Sequence, residues 1–273
     1  MLKQRVITAI VLALVVGGTI FGLESFYVSL LLAVTLLVSM LEMLSMTVTK
    51  STALKWSIGL VLVGLFFIGL PYTGIRVVFY LSYLGLMLWV LILLLMFRYR
   101  FSGEWAFSGK LAVSLFSTVL FWICVNGLYF IHSHFEQGAW LLMYMLTLVW
   151  VADIGAYFSG KRFGRHKLAP GISPAKTWEG VFGGVVLNCL WISIVFYLSD
   201  GWGIAYLPFL ILGLVTAALS VVGDLYESIL KREAGVKDSG NSLPGHGGVL
   251  DRIDSVIAAT PVFLSGLFIL GFV

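Results

Sequence analysis

Several acidic residues lie within or at the ends of long apolar stretches, where a charged side chain is costly to hold. These acids are Glu42, Asp153, Asp224, Glu227, Asp251 and Asp254. A carboxylate at the centre of a membrane-spanning helix costs about 2.5–3.5 kcal/mol on insertion scales, so such residues usually mark a functional site. In "GVLDRIDS", Asp251 and Asp254 are three residues apart and therefore share one face of a helix.

The segment "VVGDLYESILKRE" places a second acid on a charged helical face. That face holds Asp224 and Lys231, and Glu227 or Ser228 lies between them. The connection 230–249 joins this segment to the one that carries Asp251. If the connection folds back, the two acidic faces come together.

Anions that meet in a medium of low dielectric constant must be protonated, paired with a basic side chain or neutralised by a cation. An oxygen-only ligand set suits a hard ion such as Mg²⁺. The two cysteines, Cys124 and Cys189, lie inside apolar runs, and the sequence has no His/Cys set at zinc spacing. A salt bridge from Asp224 to Lys231 or Arg252 remains the structural alternative to a metal site.

The polar connection "KREAGVKDSGNSLPGHGG" combines Lys231, Arg232 and Lys237 with glycines that include Gly247 and Gly248. Backbone N–H groups in glycine turns, together with lysines, can bind phosphate. A solvated connector would have the same composition, and no P-loop or G-x-G-x-x-G motif is present. His246 suits an acid, a ligand or a hydrogen-bonded turn residue.

A second polar connection, 161–176, leads into "GISPAKTWEG". Ser173 or Thr177 can cap the helix that follows, with Glu179 in its first turn. Lys176 lies where that helix begins, and a helix N-terminus favours anions. This segment is a second candidate phosphate site. Basic contacts to lipid headgroups are the alternative.

The composition shows what must position these residues. Of 273 residues, 60% are hydrophobic and 11% are charged, whereas soluble domains carry about 25% charged residues. We therefore expect an all-α polytopic membrane protein, because lipid leaves helices as the only way to satisfy the backbone in runs of this length. Nine spans are predicted, at about 6–23, 26–46, 54–71, 74–97, 110–131, 138–160, 177–199, 203–229 and 250–272.

The distribution of basic residues predicts the orientation. With nine spans and a cytoplasmic N-terminus, all of the seventeen Lys and Arg residues except Arg76 fall on the cytoplasmic side, as the positive-inside rule requires. The C-terminus then lies on the far side, and both polar connections face the cytoplasm. We divide the chain into 1–136, with about five spans, and 137–273, a catalytic region with about four.

The stretch from Ser228 to Asp254 resembles the signature of the phosphatidate cytidylyltransferases, or CDP-diglyceride synthases. The matching positions are Ser228, Lys231-Arg232, Lys237-Asp238, Gly240, Leu243-Pro244, His246-Gly247-Gly248, Asp251-Arg252 and Asp254. The segment from Asp153 through "SPAKTWEG" is also similar to the family. Ile154 departs from the family pattern, which often has a small hydroxyl residue there. The resemblance covers about 150–260.

This resemblance implies a reaction in which CTP and phosphatidic acid give CDP-diacylglycerol and pyrophosphate. It implies that Asp224, Asp251 and Asp254 bind Mg²⁺, and a second cation such as K⁺ is compatible with it. Phosphate contacts would come from Lys176, Lys231, Arg232 and Lys237, and the pocket would be shaped by Ser173, Thr177, His246, Gly247 and Gly248. The catalytic set would be Asp224, Asp251, Asp254 and Lys231.

The resemblance further implies a homodimer in the cell (inner) membrane, with membrane lipids as partners and no nucleic acid. Two alternatives remain at this point. One is a CTP-dependent polyprenol or phytol kinase, which would release CDP instead of pyrophosphate. The other is a cation-coupled transporter or channel, in which intramembrane acids relay ions.

Overall fold

The computed structural model describes residues 2–102 and 110–272. Within these ranges the α-helices are α1 (Leu2–Gly22), α2 (Ser25–Thr47), α3 (Thr52–Gly69), α4 (Ile75–Ser102), α5 (Lys110–His134), α6 (Gly138–Phe163), α7 (Trp178–Ser199), α8 (Tyr206–Glu233) and α9 (Leu250–Ile269). Two short 3₁₀ helices occupy Leu70–Tyr72 and Asp200–Gly203. Two strands, β1 (Lys167–Ala169) and β2 (Ser173–Thr177), precede α7.

The all-α polytopic fold is confirmed. In the described ranges, eight helices, α2 to α9, are long and apolar enough to cross a membrane, and α1 contributes a shorter apolar segment, Ile10–Gly22. The nine predicted spans correspond in order to α1 to α9 of the described residues. The orientation stays a prediction. Four basic side chains that enter it, those of Lys3, Arg5, Arg98 and Arg100, lie outside the part of the structure that is described.

The connection 161–176 contains an antiparallel hairpin that the sequence did not predict. Strand β1 pairs with β2, so that Lys167 lies opposite Thr177 and Ala169 opposite Ser173. The Trp178 amide donates to the His166 carbonyl at 2.9 Å. Strands this short and polar have no alternating apolar pattern by which a sequence can identify them.

The chain divides into two units, which interleave along the sequence. The first comprises Met1–Leu81, Phe107–Met143 and Ile229–Asp254, and the second comprises Ser82–Ala106, Tyr144–Ser228 and Ser255–Val273. In the first unit α2 packs against α1, α3 and α5, and its Leu36, Met40 and Met43 are almost completely buried. The division at residue 136 remains a prediction.

In the second unit, glycines let α6 and α7 approach closely. A Cβ atom on Gly155 would lie 2.8 Å from the Gly183 carbonyl oxygen, and one on Gly184 would lie 2.9 Å from the Ala152 carbonyl oxygen. The two backbones are therefore in contact, and side chains at these positions would force the helices apart. This contact fixes the end of α6 and the start of α7, between which the hairpin is held.

Candidate active site

Asp251 is the centre of a dense set of hydrogen bonds in the first unit. Lys231 Nζ donates to its Oδ1 at 2.7 Å. Its Oδ2 accepts from the Ser239 amide at 2.9 Å, the Ser239 hydroxyl at 2.9 Å and the Gly248 amide at 2.8 Å. We call Lys231, Ser239, Gly248 and Asp251 the Asp251 cluster. The connection between α8 and α9 therefore folds back and joins Lys231 to Asp251, and the meeting of the Asp224 and Asp251 faces stays a prediction.

Tight turns bring the Gly248 amide to Asp251. The Leu243 amide donates to the Gly247 carbonyl, and the His246 amide donates to the Leu243 carbonyl, each at 2.9 Å. Gly247 has φ +82°, and a Cβ there would lie 2.7 Å from Asp251 Oδ2. The position thus requires glycine for both its conformation and its space.

His246 lies in the same turn. Its Nδ1 atom is buried and makes no hydrogen bond to any residue that the structure describes. The ring nitrogen therefore keeps its capacity to bond a ligand, which is compatible with the predicted substrate-binding role.

The Ser239 hydroxyl lies between two carboxylates. Its oxygen is 2.9 Å from Asp251 Oδ2 and 3.1 Å from Glu42 Oε2. A hydroxyl has one hydrogen, so it donates to one of these oxygens at a time. Glu42 of α2 therefore belongs to the immediate surroundings of the cluster. From the sequence alone, Glu42 was identified only as an acid inside a predicted span.

The second unit contains a separate charged pair. Lys176 Nζ contacts Asp224 Oδ2, and the Ser228 hydroxyl donates to Asp224 Oδ1 at 3.4 Å. We call Lys176, Asp224 and Ser228 the Asp224 cluster. The side chains of Lys176 and Asp224 are 24% and 27% exposed. The alternative to a metal site was a salt bridge from Asp224 to Lys231 or Arg252. A salt bridge is present, but the predicted partners were wrong, because Asp224 pairs with Lys176 of the hairpin.

The start of α7 positions Lys176. Of the two predicted caps, Ser173 and Thr177, it is Thr177 that caps α7, because its Oγ1 accepts from the Gly180 amide at 3.1 Å. Glu179, in the first turn, accepts from His166 Nδ1 at 2.6 Å and from the Arg165 amide at 3.1 Å. These bonds tie the segment before β1 to the helix that follows β2. Thr177 uses its side chain for capping, and its substrate-binding role remains a prediction.

The other predicted site residues lie on the same segments. Ser173 is in β2, paired with Ala169. Arg232, at the end of α8, and Lys237, in the connection, are exposed. Asp254 is half-buried, one turn beyond Asp251 on α9. Asp224 belongs to the second unit, whereas Asp251 and Asp254 belong to the first.

The carboxylate oxygens of these clusters are ligands of the kind that suits a hard cation. Within residues 2–102 and 110–272 there is no group of three or more His, Cys, Asp or Glu side chains arranged to hold a metal ion. Each of the carboxylates Asp224 and Asp251 nevertheless has a lysine ammonium group against one oxygen. Each carboxylate therefore has a positive group beside it, and carboxylate oxygens are the ligands that Mg²⁺ prefers.

Comparison with known proteins identifies the family. The family model described as "Cytidylyltransferase family" matches residues 3–270. The chain is 38% identical to a phosphatidate cytidylyltransferase of Haemophilus influenzae, over 96% of this chain and 97% of the relative. It is 38% identical to one of Pseudomonas aeruginosa, over 99% and 98%, and 34% identical to one of Bacillus subtilis, over 98% of each. The chain therefore belongs to the cytidylyltransferase family.

Proposed function

We propose that this protein transfers the cytidylyl group of CTP to phosphatidic acid, forming CDP-diacylglycerol and pyrophosphate. The relatives that span almost its whole length are named phosphatidate cytidylyltransferase. The observation that carries the proposal is the bond between Lys231 and Asp251, which joins the end of α8 to the start of α9 across the charged 230–249 connection. Basic side chains and glycine turns can bind the phosphates of a nucleotide and of a lipid, and apolar helices hold such a site at the membrane.

The reaction forms one bond and breaks one. A phosphate oxygen of phosphatidic acid attacks the α-phosphorus of CTP and forms a new P–O bond. The bond from the α-phosphorus to the oxygen that bridges to the β-phosphate breaks, and pyrophosphate leaves with the electron pair. Because both substrates are polyanions, the protein must mainly position them and offset their charge. No covalent intermediate with the protein is needed.

Basic residues of both clusters supply that charge. Lys231 and Lys176 hold ammonium groups at Asp251 and Asp224, and Arg232 and Lys237 are exposed nearby in sequence. We assign the phosphates to these four residues. Ser173, Thr177, His246, Gly247 and Gly248 are assigned to the walls of the substrate pocket.

The carboxylates are assigned to a metal ion. Asp224, Asp251 and Asp254 would hold Mg²⁺, and a second cation such as K⁺ is compatible with the same oxygens. When bound, Mg²⁺ supplies Lewis-acid polarisation of the phosphoryl oxygens and offsets the charge of the leaving group. Lys231 and Lys176 hold the carboxylates of Asp251 and Asp224 in place.

The setting of the reaction follows from the substrates. Eight long apolar helices in the described ranges make this a multi-pass membrane protein, and phosphatidic acid is a membrane lipid. We place the protein in the inner, cytoplasmic membrane, with the site facing the cytoplasm, where CTP is available, and we expect a homodimer. The charge asymmetry of the loops supports this orientation.

Analysis of the nucleotide product tests the proposal. Purified protein, CTP and phosphatidic acid are incubated in detergent–lipid micelles with Mg²⁺. Pyrophosphate without CDP is the expected result. CDP without pyrophosphate would contradict the proposal, because a lipid kinase that uses CTP transfers the γ-phosphate. Neither the kinase nor the transporter alternative is favoured by the names of the relatives.

A further inference from the structure

Glu42 is a buried carboxylate whose two oxygens are fully engaged. Its side chain lies in α2, and the residue is 6% exposed. Oε1 accepts from the Ser242 hydroxyl at 2.6 Å and the Val249 amide at 3.1 Å. Oε2 accepts from the Leu250 amide at 2.9 Å and the Ser239 hydroxyl at 3.1 Å. All of these residues belong to the first unit.

Two of these donors are the amides at the start of α9. The first N–H groups of a helix have no partner within the helix and need an acceptor from elsewhere. Glu42 accepts from Val249 and Leu250, so a carboxylate from α2 caps a helix that lies more than two hundred residues further along the chain. Negative charge at this end is also favoured by the helix dipole.

The connection leaves space for this carboxylate. A Cβ on Gly240 would lie 2.6 Å from Glu42 Oε1, and a Cβ on Gly248 would lie even closer to Glu42 Oε2. Alanine at either position would collide with the carboxylate. The glycines and the two serines thus form a cradle built around Glu42.

We propose that Glu42 is a positioning residue of the active site, which holds the 239–250 segment and the first turn of α9 so that Asp251 and Lys231 are correctly placed. This inference rests on the proposed function for its kinetic part only. A single residue, Ser239 or Gly248, separates Glu42 from Asp251. Ser239 contacts both Glu42 and Asp251, and Gly248, which Glu42 touches, donates its amide to Asp251.

This position requires a side chain that accepts hydrogen bonds through two oxygens. Four donors converge on two oxygens, and both oxygens of a carboxylate accept. A glutamine side chain has the same shape but only one acceptor, and its NH₂ group would face donors. Glu42→Gln should therefore loosen the segment although it changes almost no volume. Ser242→Ala removes a single donor and should have the same effect to a smaller degree.

The matched control is Ser39→Ala. Ser39 lies one turn before Glu42 in α2 and is fully buried. Its hydroxyl makes no hydrogen bond to any described residue. The variant thus changes a buried polar group of the same helix without removing a hydrogen bond to the 239–250 segment.

The first readout is hydrogen–deuterium exchange on the full chain in lipid nanodiscs, without substrate. In Glu42→Gln, exchange of the Val249 and Leu250 amides should rise by about tenfold, the expected effect of losing a helix cap. Ser39→Ala should match the parent protein. Unchanged exchange at these two amides in Glu42→Gln would overturn the proposal, and this outcome does not depend on what reaction the protein catalyses.

The second readout is kinetic. If Glu42 positions Asp251, Glu42→Gln should raise the Mg²⁺ concentration for half-maximal activity, or lower kcat, by about 10- to 100-fold, with the KM for CTP changed less. A purely structural role would lower the amount of folded protein and leave the Mg²⁺ dependence of the remainder unchanged; that result would overturn the proposal. If Glu42→Gln does not fold, Ser242→Ala is judged by the same two criteria. An inactive parent protein would instead refute the proposed function and leave the exchange result standing.

Discussion

Lys231 Nζ lies 2.7 Å from Asp251 Oδ1, although the whole connection between α8 and α9 separates the two residues. Their side chains are 14% and 7% exposed, so both charges are largely removed from solvent together. Removing one partner of such a pair leaves a buried charge uncompensated, which costs more than the pair itself contributes. The pair therefore holds the two ends of the connection together and keeps both charged groups at the start of α9.

Asp251→Asn should abolish activity and leave membrane insertion intact, because losing a charge eases insertion. It should also destabilise the protein by about 3 kcal/mol, since the largely buried Lys231 ammonium loses its ion pair with Asp251. Activity and thermal unfolding of the purified variant measure the two effects. Adding Lys231→Met should restore part of the unfolding temperature without restoring activity. Full activity of Asp251→Asn would refute the assignment of this carboxylate to the metal.

The Lys176–Asp224 pair should behave differently, because both side chains are about a quarter exposed. Lys176→Met should reduce activity severely while changing the free energy of unfolding by less than about 1 kcal/mol. Lys167→Met is the control, since Lys167 is an exposed lysine of the same hairpin. Equal activity in the two variants would show that Lys176 has no special part in the reaction. Asp224→Asn should also be inactive and still insert.

The sequence predicted the membrane helices well for a simple reason. The bilayer thickness sets the length of each apolar run, and every predicted span corresponds in order to one of the helices from α1 to α9. That the 230–249 connection could fold back was visible in the sequence, because the connection joins the two acidic segments, but the Lys231–Asp251 bond itself was not predicted. The partner of Asp224 could not be predicted from the sequence, because spacing along α8 shows only which residues share a face of that helix. Lys176 comes from a hairpin whose position depends on the tertiary fold.

Glu42 shows a different limit. An acid inside an apolar run was visible in the sequence, and its cost predicts that it has a partner. Its donors come from the 239–250 segment, about two hundred residues away. Without the fold, no spacing rule connects α2 to the start of α9.

Gly247→Ala should impair both stability and activity. A residue with a Cβ is strained at φ +82°, and the Cβ would lie 2.7 Å from Asp251 Oδ2. We therefore expect the free energy of unfolding to fall by about 1–3 kcal/mol. Gly203→Ala separates the two causes, because Gly203 also has φ +82° but has no atom within 4 Å of the added Cβ. Both variants should lose stability, and only Gly247→Ala should lose activity measured per folded molecule. Equal specific activities would contradict a role for this turn in placing Asp251.

Glu179→Gln should weaken the hold on the hairpin that carries Lys176. Glu179 accepts from His166 Nδ1 and from the amides of Arg165 and His166, and a neutral amide replaces these charge-assisted bonds with weaker ones. We expect a raised KM for CTP or phosphatidic acid in steady-state kinetics. Glu24→Gln is the control, because Glu24 is an exposed carboxylate that makes no side-chain cap bond at α2. A KM equal to that of the control would contradict this role.

The most direct test of cytidylyl transfer follows the α-phosphorus of CTP. The protein, folded in nanodiscs that contain phosphatidic acid, is given CTP radiolabelled at the α-phosphorus, and the lipid phase is extracted with and without Mg²⁺. We predict Mg²⁺-dependent label in the lipid, equal in amount to the pyrophosphate released, and none with Asp251→Asn. Lipid that stays unlabelled by α-labelled CTP but takes up label from γ-labelled CTP would contradict the account.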